Sequence, residues 1–351
     1  MKSRLHAGLI VALLLTALVV SVVSGQGKRK LDIYYVDVEG GAATLIVTPA
    51  GESVLVDAGW PGREGRDAKR IQKAMQQAGI SAIDHLIMTH YHVDHFGGIA
   101  DLAKQVTIHR FYDRGVLGTD IREYKDNPAM YQGYLAAAGN KNITLKPGDE
   151  IKLKSAPGTP AVKLLVLAAS TNVISGKKGA VNAECATATA QPEDTSDNAR
   201  SVTFKLSYGN FDFFDAGDLT WNIEQKLACP ANLVGEVDLY QVTHHGMNTS
   251  NNPALVRALK PTVAIMNNGP RKGGHPDTYK TLRAQASIRD VWQLHRNVTT
   301  TAEQNTTPDY IANMEEAGDE AHMVTVSVDA AKRNFTLTNQ RNQKSQTYAT
   351  R

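Results

Sequence analysis

The stretch MTHYHVDHFGG, Met88 to Gly98, puts His90, His92, Asp94 and His95 within six positions, directly after the apolar run Leu86-Ile87-Met88. Imidazole and carboxylate are the side chains that together hold zinc, with manganese or iron as alternatives. His90 and His92, two apart, face the same way where the backbone is extended or looping. Asp94 and His95 can then turn toward a second point. Two imidazoles serving one ion, and a carboxylate with an imidazole serving its neighbour, is a pattern suited to a metal pair. A histidine-rich solvated loop is the bland alternative, and the fullness of the pattern argues against it.

Such residues need regular elements to hold them. The cluster follows IDHLIMTH, an apolar strand with the histidines at its C-terminal end. Upstream, three short strands are expected around Ile33–Val36, Ala43–Val47 and Ser53–Gly59, with turns at Gly40-Gly41 and Pro49-Ala50-Gly51. Ile71, Met75 and Ala78 have helical spacing within Asp67–Ala78, and Gly79 supplies a stop. Downstream, Asp126–Gly139 is expected to be helical and Gly179–Asp197 a loop. Val202, Phe204 and Leu206 alternate, and Phe211–Phe214 runs into Asp215-Ala216-Gly217-Asp218. DLYQVTHHG repeats the design of an apolar strand ending in histidines, His244 and His245. Helix and strand patterns then alternate to the closing runs MVTVSVD and NFTLTN. No long polar linker divides the chain. One α/β domain over residues 31–340 is expected, with residues 341–351 as a C-terminal tail.

Composition narrows the function. With 42% hydrophobic residues in 351, the chain can bury a large core. Its 38 basic and 35 acidic residues are interspersed, which gives no nucleic-acid stripe, although a local groove stays open. Lys2 and Arg4 precede the apolar run Gly8–Val23, and Val23 and Gly25 stand at small-residue positions before Gln26. Residues 1–25 therefore read as a secretory signal, with an uncleaved N-terminal anchor as the alternative. Either reading puts the rest outside the cytoplasm, secreted or periplasmic. The two cysteines, Cys185 and Cys229, suit an oxidising compartment and could form one disulfide.

HYHVDH, followed by Gly97-Gly98, resembles the HxHxDH motif of the metallo-β-lactamase superfamily. VLVDAG (Val54–Gly59), FFDAGD (Phe213–Asp218) and THHG (Thr243–Gly246) resemble, in order, three further strand ends of that family. Asn198 and Ser201 in DNARSV, His244-His245, and Gly274-His275-Pro276 are similar to the branch that contains the competence DNA-uptake channel hydrolase domain and secreted phosphorylcholine esterases. The resemblance implies a four-layer αββα sandwich with the site at one edge, and Cys185 and Cys229 stapling its rim. It also implies two Zn2+ held by His90, His92, Asp94, His95, Asp218 and one of the paired histidines. Asp218 would bridge and Asp57 would orient. The family often has one more histidine between the first motif and the bridging aspartate. Here that interval holds His109, in the strand-like VTIHRFY, where a structural role is expected. Asn198 or water would fill the gap, and the first ion would be the less completely held.

The implied reaction is hydrolysis, with metal-assisted deprotonation of a water and Asp94 orienting it. Neighbours on a strand point in opposite directions, so His245 is preferred as ligand and His244 as the substrate-side group. His275 is a candidate to contact an anionic oxygen or protonate a leaving group. The branch implies phosphodiester substrates. Lactone, β-lactam or other ester hydrolysis, and a non-catalytic metal-binding or sensing module, stay as alternatives. Tyr112, Tyr131, Tyr134 and Trp221 could line a pocket, though packing is the expected fate of most.

Overall fold

The computed structural model describes residues 30–176, 179–316 and 320–351, so the expected signal lies outside the described residues. Two sheets, nine-stranded among those residues, stack on each other. The first runs, in spatial order, Ser345–Ala349, Asn334–Asn339, Val324–Asp329, Leu31–Tyr35, Thr44–Val47, Ser53–Val56, His85–Ile87, Phe111–Asp113 and Ile143–Thr144. The second is built mainly from Val162–Ala169, Thr203–Tyr208, Phe211–Asp215, Leu239–Gln241, Val263–Met266, Asp290–His295 and Ile311–Asn313.

Alternation decides which faces meet. Leu31, Ile33 and Tyr35 are fully buried, and so are Val324, Val326 and Val328 on the neighbouring strand. They pack between the sheets against Phe204, Leu206, Phe213 and Trp292 of the second. Truncating one of these aromatics to alanine would cost about 3–5 kcal/mol. Outside the first sheet lie the helices Arg66–Ala78, Ile99–Ala103 and Pro128–Ala137, joined to it by Ile71, Met75, Leu102 and Tyr134. Outside the second lie Trp221–Ala228, Pro253–Leu259 and Pro276–Ala284, joined by Leu227, Leu255 and Leu282. The architecture is the four-layer αββα sandwich.

Each sheet is parallel where it matters. Val54 pairs with His85 and Val56 with Ile87 in parallel register, with the helix Arg66–Ala78 as the crossover. In the second sheet Phe213 pairs with Leu239, Leu239 with Val263 and Val263 with Asp290, also in parallel. The C-terminal ends of both parallel sets therefore emerge at one edge.

One expectation needs correcting, and the packing expected of most tyrosines is found. The segment taken as a tail from residue 341 contains the outer strand of the first sheet, with Phe335 opposite Tyr348. With Tyr348 its one buried residue and three of its five positions exposed, it has the pattern of an edge strand, too weak to read alone. Tyr112, Tyr131 and Tyr134 are buried packing residues; Tyr91 meets Tyr131 edge-on at 5.2 Å.

Candidate metal centre

The first strand end is Asp57, at φ 59° after Ser53–Val56. Its carboxylate accepts from the Thr89 backbone N–H (2.8 Å), the Thr89 hydroxyl (2.7 Å) and His95 Nδ1 (2.7 Å). One buried aspartate thus fixes both ends of the histidine motif. The motif is extended at His92, the N-cap, and changes there to one helical turn, Val93–Phe96. Gly97 and Gly98 let this turn lie on the loop after Asp57: a Cβ at Gly98 would stand 2.0 Å from Ala58 O. From the second sheet, Gly217 (φ 53°) brings the Asp218 turn against Thr89, where a Cβ would lie 2.9 Å from Thr89 Cβ. Asp218 N–H is held by Ser201 Oγ at 3.2 Å.

Thr243–Gly246 is not a strand continuation. His244 and His245 both have positive φ, 56° and 54°, in a tight turn. The expected opposite facing of neighbours on a strand therefore does not apply, and both rings reach the same carboxylate. His244 Nε2 lies 3.4 Å from Asp218 Oδ2, and His245 Nε2 lies 3.4 Å from Asp218 Oδ1. The turn is clamped from behind by Gly273, whose added Cβ would meet His245 O at 2.1 Å.

Two groups of donors result, both containing Asp218: Asp94, His95, Asp218 and His245, and then His90, His92 and Asp218. In the first-named group His95 Nε2 is 3.1 Å from His245 Nε2 and 3.3 Å from Asp94 Oδ2, and 3.2 Å from Asp218 Oδ2. Such separations are close to the edges of a tetrahedron with metal–ligand bonds of about 2.0–2.1 Å.

The protonation pattern tests the fit of a cation. Carboxylates and carbonyls accept and cannot donate, so the outward partner of each ring fixes its hydrogen. Asp57 takes the hydrogen of His95 Nδ1 (2.7 Å), and Asn267 O takes that of His245 Nδ1 (3.2 Å). Thr89 Oγ, already donating to Asp57, accepts from His90 Nδ1 at 3.0 Å. Glu123 Oε1 accepts from His92 Nε2 at 3.1 Å, which leaves Nδ1 as that ring's donor to a metal. Ser250 Oγ, which donates to Leu219 O, accepts from His244 Nδ1 at 3.1 Å. Bare nitrogens of His95 and His245 then face each other across 3.1 Å, and His90 Nε2 is buried with no hydrogen-bond partner. These donors fit a divalent cation.

The electrostatics agree. Burial penalises charge on His95, but the carboxylates of Asp218, Asp94 and Asp57 outweigh it and raise its pKa well above the ordinary value. Burial and the neighbouring His95 lower that of His90. Burial opposes ionisation of Asp218 and Asp94, yet the surrounding histidines hold both carboxyls well below the usual range. The pocket as a whole attracts positive charge.

Among the described residues the group with His90 and His92 has three donors, which fits a catalytic site with an open position. Asn198 stands beside His244: its Nδ2 is 3.3 Å from His244 Nε2, and its buried Oδ1 has no hydrogen-bond partner. His109 is exposed and belongs to neither group. His275 also stands apart, with Nδ1 accepting from Asp277 N–H at 3.2 Å as the N-cap of Pro276–Ala284.

Sequence reasoning missed Glu123, whose hydrogen bond to His92 keeps its carboxyl low, at about 2. It also missed the buried Arg114–Asp197 pair, in which Asp197 Oδ2 accepts from Tyr91 N–H at 2.7 Å and ties the motif to the Asn198 turn. Glu123 lies in a segment with no neighbouring signal. Sequence reasoning missed Lys272 too, whose ammonium pairs with Asp94 and which could have been noticed as half of a basic pair just before Gly-Gly-His-Pro.

Residues 36–167 match the Metallo-beta-lactamase superfamily. That stretch covers the first-sheet strands from Thr44–Val47 to Ile143–Thr144 and the histidine motif, and stops before Asp218. Recombination protein 2 of Haemophilus influenzae is 27% identical over 235 residues, 66% of this chain. The chain spans 24% of the length of that relative. Solved structures that resemble it include the metallo-beta-lactamase fold protein YhfI from Bacillus subtilis, at 15% identity and a TM-score of 0.41, covering 75% of this chain and 95% of that one. CmlA, a diiron beta-hydroxylase from Streptomyces venezuelae, has 16% identity and a TM-score of 0.37, covering 68% and 44%. The match to the metallo-β-lactamase superfamily thus extends over residues 36–167 of a chain that has a four-layer fold and a buried His/Asp cluster compatible with a divalent metal.

Proposed function

We propose that the protein is a dinuclear metal-dependent hydrolase, with zinc as the metal, that cleaves phosphodiesters outside the cytoplasm. The observation that carries this reading is the presence of Asp218 in both donor groups. His90, His92 and Asp218 would hold one ion, and Asp94, His95, His245 and Asp218 the other. Two such ions supply Lewis acidity and make water a nucleophile near neutral pH, the arrangement suited to in-line displacement at phosphorus.

The chain's own groups do the rest. Asp57, Glu123 and Asn267 O hold the rings so that no reorganisation is needed. His244 reaches the Asp218 carboxylate but belongs to neither donor group. Burial, with the nearby His245 and Lys272, lowers its pKa to about 4, so near neutral pH it is uncharged. Its hydrogen is on Nδ1 toward Ser250, and Nε2 is the atom that accepts a proton from the substrate side. His275 is left to its capping role. The apolar N-terminus supports export, and the Cys185–Cys229 disulfide suits an oxidising compartment. The relative's name makes nucleic-acid phosphodiesters the first substrates to try, although the charge pattern does not argue for them.

The test is a screen of metal-loaded protein over phosphodiesters, phosphomonoesters, lactones and β-lactams, with metal counted by elemental analysis. Phosphodiesters are expected to lead, with up to two metals per chain. Asp218→Ala is expected to lose both ions and at least 1000-fold in rate; full activity in that variant would sink the shared-carboxylate reading.

A further inference from the structure

Lys272 belongs to neither donor group, yet its ammonium is ion-paired with Asp94. Its side chain is 34% exposed and that of Asp94 6%, so the cation reaches the site from the solvent side. Nζ lies 5.4 Å from the centre of the Trp60 ring, within cation–π range. Its backbone is fixed as well. Lys272 O accepts from Gly269 N–H at 2.8 Å, and a Cβ at Gly40 (φ 84°) would stand 3.1 Å from Lys272 Cβ. A Cβ at Gly41 would strike Asp94 O at 2.4 Å and approach Trp60 Nε1 at 3.1 Å. The Gly40-Gly41 pair is therefore where Asp94, Trp60 and Lys272 converge.

A lysine beside donors that call for a cation is a like charge next to the ion they would hold. That placement is offset when an anion comes between them. We propose that Lys272, guided by the Trp60 ring, anchors a non-reacting anionic oxygen of the substrate, a phosphate oxygen at the Asp94 side of the centre. The inference rests on the hydrolase reading above. Asp94 is one of the metal donors, and the four-carbon stem of Lys272 lets its ammonium exchange that carboxylate for the incoming oxygen.

The experiment compares metal-loaded wild type with Lys272→Met and Lys272→Arg. Inorganic phosphate binding is read by titration calorimetry, and kcat/KM is measured on bis(p-nitrophenyl) phosphate and on the neutral ester p-nitrophenyl acetate. Elemental analysis follows metal content. Lys272→Met is expected to weaken phosphate binding at least tenfold and to lower the diester-to-neutral-ester ratio of kcat/KM at least tenfold, with metal content kept. Lys272→Arg is expected to recover most of both. Unchanged phosphate binding, a wild type that binds no phosphate, or a fall in metal content with an unchanged ratio would each overturn the proposal. A wild type that cleaves no diester refutes the hydrolase reading instead, and phosphate binding then decides Lys272 by itself: loss in Lys272→Met supports the anchor, no loss removes it.

Discussion

At the scale of single residues, the centre is prepared by groups that touch no ion. Five imidazoles crowd one pocket, and each has its outward nitrogen taken by a different partner: Thr89, Glu123, Asp57, Ser250 and Asn267 O. Glu123 is the most separable of these, since it contacts His92 and the Asp197 N–H and no member of the Asp94, His95, Asp218 and His245 group. Glu123→Ala is expected to weaken the ion held by His90 and His92 about 10–100-fold and to leave the other nearly unchanged, read by competition with a chromogenic chelator. Glu123→Gln, which still accepts from His92, should lose less. Equal weakening at both ions would mean that Glu123 acts on the whole pocket. The candidate donors themselves were legible in sequence because spacing and residue type together carry the chemistry. Glu123 was not, because an orienting carboxylate needs only to arrive in space, from any point of the chain.

Elements explain the next level of what could and could not be read. Strands of the sandwich announce themselves by alternation, and the helix Arg66–Ala78 by its buried Ile71, Ala74 and Met75 with Gly79 behind. The turn at Thr243–Gly246 does not. Two successive non-glycine residues in left-handed backbone cost of order 1–3 kcal/mol each, so local propensity points away from the geometry that forms. Tertiary contacts impose it: His244 N–H donates to Gly217 O at 2.9 Å, and Glu224 braces the adjoining helix through the Asn252 N–H at 2.8 Å. Glu224 is fully buried, and burial raises its pKa from 4.5 to about 7. Between those values the folded protein keeps a proton that the unfolded chain releases, so this group's contribution is complete below pH 4.5 and is lost as the pH rises through 7. Denaturation of metal-free protein should show the wild-type minus Glu224→Gln stability difference falling across that window by on the order of 1–3 kcal/mol. A difference flat in pH would show that Glu224 is already ionised in the fold.

For the whole molecule, the seam between the two sheets matters most. The disulfide Cys185–Cys229, 44 residues apart in sequence, fastens the loop leading to Asn198 onto the end of the helix Trp221–Ala228. Replacing both cysteines by serine should lower the unfolding free energy by about 2–4 kcal/mol in denaturant titration, and an unchanged midpoint would show the bridge constrains little. The sandwich and its site edge were legible from the order of the motifs. The outer strand at Ser345–Ala349 was not, because an edge strand buries one face so thinly that its alternation fades. Asp218 has a consequence on this scale too. Each donor group draws on His90–His95 from the first sheet and on Asp218 or His245 from the second, so neither half of the chain holds a complete ligand set. An ion bound there is a rivet through both halves. Its supply in the surroundings then sets how firmly they stay joined, and metal starvation weakens the architecture along with the chemistry.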